Sequence, residues 1–196
     1  MGTIKSAWEI AQENTKGIEG DKGLVEANRL KDEGKKLVSK VFEDPSFNLK
    51  EALKAFDKKQ LENVRDGLVQ SLLANLVLPM DEAAQARNKR IGEAFASVAA
   101  DSKKLSLMFS QLESFFKEYM DERARLIEAI ERQYAPKLQK KEEEVSKQLG
   151  RPVKINPASD PEFQGLVRQY LGQLDAKYDE ILSNAKEEIK ALSLKS

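Results

Sequence analysis

"GRPVKINPASDPEF" (Gly150 to Phe163) interrupts what otherwise reads as very long, highly charged helix, and whether it is a turn decides the fold. On its far side, Ser159 and Glu162 form a capping box with Pro161 near the first helical position, so a helix is predicted from Ser159. Its apolar residues are Phe163, Val167, Tyr170, Leu174, Tyr178, Ile181, Ala185, Ile189 and Leu192. At 100° per residue they fall within about 100° of arc, a single stripe. Their spacing is an eleven-residue repeat, which favours nearly straight packing over the usual left-handed supercoil. On the near side a matching stripe runs through Leu105, Phe109, Leu112, Phe116, Met120, Ile127, Ile130 and Tyr134, with Pro136 expected to kink the helix. Two striped helices joined by about ten residues rich in proline should fold back on each other. The predicted class is therefore all-α, with residues 105–196 forming a long antiparallel coiled-coil-like helical hairpin whose tip is 150–159. Gly150 reads as the residue just past the first helix.

If the two helices meet symmetrically at that turn, the numbers of facing residues sum to about 310. Two charges intrude on the stripes, Arg123 and Glu188, and their numbers fit this register. A facing pair is tolerated on a buried stripe where a lone charge is expensive, so an Arg123–Glu188 contact is expected, with Lys177 near Glu131 or Tyr134. Met108, Phe115, Tyr119, Leu126, Leu166, Leu171 and Leu182 widen the stripes beyond a two-helix seam and call for further cover, from the rest of the chain or from a second subunit.

Upstream, residues 1–104 read as a helical core. A short amphipathic helix with Ile4, Ala7, Trp8 and Ala11 on one face is expected to dock through Trp8, and "GIEGDKG" (Gly17 to Gly23) to break it. A second helix follows from Lys22, capped by Asp21, with Gly34 between Leu30 and Leu37 permitting close helix approach. Asn48 with Glu51 opens a third, carrying Leu53, Phe56, Val64, Leu68, Leu72 and Leu76 to a stop at Pro79. From Asp81 to Leu149 the sequence is helix-compatible, with a natural break at Asp101 and Ser102.

Composition narrows function. Lys plus Arg equals Asp plus Glu, 33 each. The balance also holds locally, nine of each sign in 1–50, seven in 51–100, ten in 101–150 and seven in 151–196. A polyanion binder normally shows a basic excess on that scale. There is no cysteine and no histidine, which removes thiolate nucleophiles, disulfides, iron–sulfur ligands and the commonest general base and metal ligand. No leader and no spanning stretch is apparent, so a cytoplasmic location is expected. "MGTIKS" matches an acylation pattern and "GIEGDKG" has phosphate-loop glycines, but the first lacks a polybasic second signal and the second lacks Gly-Lys-Ser/Thr after a strand. No catalytic, cofactor or metal residues are assigned.

The remaining local asymmetry is the hairpin tip. Lys137, Lys140, Lys141, Lys147, Arg151 and Lys154 outnumber Glu142, Glu143 and Glu144, with Val153 and Ile155 apolar between them. Either these two plug the end of the hairpin or the tip touches a partner. The function expected from sequence is a non-catalytic cytoplasmic scaffold or adaptor, not an enzyme, needing no cofactor. It would act on protein partners and as a homo-oligomer. The alternative is a nucleic-acid- or membrane-surface-binding module using the basic tip.

Overall fold

The structure, a computed structural model, describes the backbone of residues 7–99 and 101–194, and the side chains of residues 22–99 and 101–194. Trp8 and the N-terminal acylation pattern thus lie outside the described side chains. The fold is all-α: α1 (Ala7–Glu43), α2 (Leu49–Leu53), α3 (Lys58–Asn75), α4 (Glu82–Val98), α5 (Ser102–Leu149) and α6 (Pro161–Ser193), with a 3-10 turn at Pro157–Ser159 and no strand among the described residues. Two expected boundaries move. "GIEGDKG" does not break the chain, because α1 passes through Gly17, Gly20 and Gly23. Each glycine costs a helix about 1 kcal/mol, a penalty and not a prohibition, and no proline is present to remove a backbone donor. Conversely, the helix opened by Asn48 stops after five residues. Asp57 and Gln60 form a complete capping box that starts α3 afresh, so a second start signal cuts the first helix short. The break before α5 falls where it was expected, with Asp101 Oδ1 accepting from the Lys104 N–H at 3.0 Å. Pro136 sits inside α5 without ending it.

The chain divides into two compact units, which exchange segments across the expected boundary at 104. The first contains residues 1–76, 90–106 and 189–196. Its buried apolar residues include Leu30, Leu37 and Val38 of α1, Val64, Leu68 and Leu72 of α3, and Ile91 and Phe95 of α4. The close approach anticipated at Gly34 is realised from both sides. A methyl at Gly34 would stand 2.1 Å from the Val64 carbonyl oxygen, and one at Gly67 would stand 2.0 Å from that of Lys31. The helices α1 and α3 therefore meet backbone to backbone, and the Lys31–Asp66 ion pair at 2.7 Å flanks the contact. Arg90 donates to the Phe42 carbonyl at 2.9 Å and caps the end of α1 from α4.

The second unit contains residues 77–89 and 107–188. Here α5 and α6 run antiparallel and touch through long side chains. Tyr119 donates its hydroxyl to Asp175 at 2.7 Å, and Tyr178 donates to Glu122 at 2.6 Å. The two rings lie 5.1 Å apart at a tilt of 57°, and Phe115 packs 5.0 Å from Tyr178. Each helix thus supplies one tyrosine and, three residues away on the same face, the carboxylate that satisfies the other. Leu174 is buried beside the rings, and Leu78 packs against them from the extended segment before α4. That segment is held by Asn88, buried, whose amide donates to the Val77 carbonyl at 2.7 Å. Nearer the tip, Ile130, Tyr134 and Phe163 form a second cluster, with the Tyr134 and Phe163 rings 5.5 Å apart. The predicted stripe of α6 is correct at Phe163, Leu174, Tyr178 and Ile189, all buried. It fails at Tyr170 and Ile181, which are exposed, while Leu182 turns fully inward and Leu171 packs against the cluster in their stead. The widening residues Tyr119 and Leu182 are also buried within the single chain.

The register departs from expectation by more than three turns. The facing pairs Tyr119–Tyr178 and Tyr134–Phe163 both have numbers summing to 297, not 310. Leu174 is therefore level with Arg123. Glu188 lies fourteen residues farther along α6, about 21 Å at 1.5 Å per residue, so the Arg123–Glu188 contact is corrected. The Nε of Arg123 is instead buried without a hydrogen-bond partner. Lys177 stands 4.0 Å from Glu122, not beside Glu131 or Tyr134. The cause is the connection. Past Gly150, whose φ of +63° turns the chain, residues 152–156 run extended back along α5. Val153 N–H bonds to Ser146 Oγ and Ile155 N–H to Glu142 Oε1, both at 2.9 Å. Two extended residues advance about 6.6 Å and the four helical residues from Ser146 to Glu142 about 6 Å, so extended segment and helix stay in step. Extended backbone climbs at twice the helical rise, so α6 begins opposite the interior of α5, not opposite its end.

Two pairs of substitutions check these contacts. Gly34→Ala should destabilise by about 1–3 kcal/mol despite its better helix propensity, whereas Gly23→Ala, with nothing within 4 Å of the added methyl, should gain about 1 kcal/mol in urea unfolding. Tyr119→Phe and Tyr178→Phe should each cost about 1–2 kcal/mol and combine non-additively. Burial, reinforced by the carboxylate each hydroxyl bonds, holds both phenols protonated up to about pH 12. Folded values above the ordinary 10.0 mean that their contribution is complete below pH 10 and is lost as pH rises through 12, which ultraviolet titration of tyrosinate will show.

Candidate functional site

The candidate site built from sequence is the tip, and the structure assigns its cations individually. Lys141 reaches Asp160 Oδ2 at 2.6 Å, the Tyr134 hydroxyl at 2.8 Å and Glu162 Oε2 at 3.2 Å. Lys137 pairs with Glu162 as well. Lys154 reaches Glu142 at 3.1 Å from an exposed position. Lys140, Lys147 and Arg151 are exposed and stand outside these pairs. Val153 and Ile155 are half-buried, tied to α5 through their own N–H groups. Three of six basic residues are thus consumed in holding the turn. Asp160 and Glu162 return on α6 to meet them, so the basic excess of the tip is offset locally by two further carboxylates.

Asp160 is the residue sequence reasoning missed. Ser159 was expected to cap α6, but Ser159 belongs to the 3-10 turn and Asp160 Oδ1 accepts from the Glu162 N–H at 2.9 Å. Asp at a cap is as good as Ser. The local signal was ambiguous, and Lys141, nineteen residues upstream, decides it by taking the other oxygen. The Asp160 side chain is buried, and the Lys141 ammonium holds its carboxyl down to about 2. Lys141 is raised in return, chiefly by Asp160 and then by the Tyr134 hydroxyl. Burial raises Tyr134, and the Lys137 ammonium lowers Glu162. Glu142 is lowered first by the Ile155 N–H and then by Lys154. Every shift favours the charged form of an acid or base already paired, or keeps a buried phenol neutral. None leaves an acid or a base poised near neutrality for proton transfer.

Two hollows adjoin this network. A broad groove of about 660 Å³ follows the extended return segment between Gln139 and Lys154. A smaller cavity of about 200 Å³ lies between α5 and α6, walled by Ile130, Tyr134, Lys137, Glu162, Leu166 and Tyr170. Among the described residues no group of three or more Asp and Glu is arranged to hold a metal ion, and no helix is long and apolar enough to cross a membrane.

The acid limb of stability isolates the clasp. Asp160 titrates below its unfolded value of 3.8, so its contribution is present above pH 4 and is lost as pH falls toward 2. Asp160→Asn should flatten that part of the stability–pH curve and leave the alkaline limb unchanged, as followed by circular dichroism in urea.

A family model described as a family of unknown function, DUF6657, matches residues 50–191, and the chain belongs to that family. No curated protein and no solved structure matches it. The matched span includes both tyrosine–carboxylate pairs and the whole tip.

Proposed function

We propose that this member of the family is a non-catalytic helical scaffold that works through protein–protein contact, with self-association as one form of it. The observation supporting this reading is the placement of large apolar side chains on exposed helix faces of the second unit. Leu107 is 62% exposed, Ile181 48% and Tyr170 39%, against helices whose other faces are closed by buried rings. Monomeric surfaces scatter single apolar residues, but Tyr170 and Ile181 stand eleven residues apart on one face of α6, as an interface offers before it is covered. The internal pairing of Lys137, Lys141 and Lys154 favours a protein over a polyanion or a lipid surface as partner, because charges committed to a clasp release no counterions elsewhere. A chain without cysteine or histidine suits work in the reducing cytoplasm that relies on shape and burial and not on side-chain chemistry.

Light scattering on the full chain at tens of micromolar should show a dimer or larger species. Leu107→Glu, on the most exposed apolar residue of α5, should shift that species toward monomer with unchanged helicity. A monomer throughout removes the self-association.

A further inference from the structure

We draw no further inference here: the strongest candidate, the cavity of about 310 Å³ between the end of α1, the loop of residues 44–48 and α4, selects no class of ligand, because its Arg90 is engaged by the Phe42 carbonyl and its Asp44 by Ser46, and nothing in the structure shows what would fill it.

Discussion

The reciprocal pairing of Tyr119 with Asp175 and Tyr178 with Glu122 is the constraint on which the antiparallel unit depends. Two tyrosines stacked between helices bury large rings, yet each brings a hydroxyl that cannot be left without a partner. Each hydroxyl finds a carboxylate on the opposite helix, three residues from the opposite ring. A shift of α6 by one residue would carry Asp175 and Tyr178 around that helix by about 100° and orphan both hydroxyls at once. Greasy side chains alone tolerate sliding, because one leucine replaces another at little cost. Here the polar atoms make the burial specific.

The tip obeys the same logic with charges. Its extended return segment could lie at several heights along α5, but Asp160 must both cap α6 and neutralise Lys141. Satisfying two demands with one carboxylate leaves one arrangement. The tip and the tyrosine pairs then agree, since the climb of the extended residues 152–156 brings α6 to the level at which Tyr119 meets Tyr178. Three of the tip's six basic residues hold the turn, and the exposed Tyr170 and Ile181 lie on the flank of α6, not at its end.

The first unit uses a different strategy. Between α1 and α3 the contact is made by missing side chains, with Gly34 and Gly67 each opposite a carbonyl of the other helix. Close backbone packing gains dispersion contacts along both helices, and it tolerates no added methyl. Within one chain, therefore, one helix pair is aligned by large polar-tipped side chains and another by their absence.

Much of this was legible in the sequence. Helical class follows from composition and from periods near 3.6, and the turn at Gly150 follows from proline, glycine and capping residues clustered in one place. Gly34 announced close packing because a glycine on an apolar helix face has few other uses. Local start and stop signals were less decisive. Gly17, Gly20 and Gly23 merely weaken a helix, Asp57 and Gln60 outcompete a longer one, and Ser159 and Asp160 are equivalent caps until Lys141 chooses. What the sequence by itself determined was which residues are apolar, at what spacing, and where the chain must turn. Only the tertiary structure decided the register, and with it the exposure of Tyr170 and Ile181, the unpartnered Nε of Arg123 and the use of the tip's cations. The reason is geometric: a periodic stripe repeats along a helix and fits many alignments nearly equally well. The choice among them rests on the rise of a five-residue extended segment and on two hydroxyls finding their carboxylates, both long-range facts that no local pattern encodes.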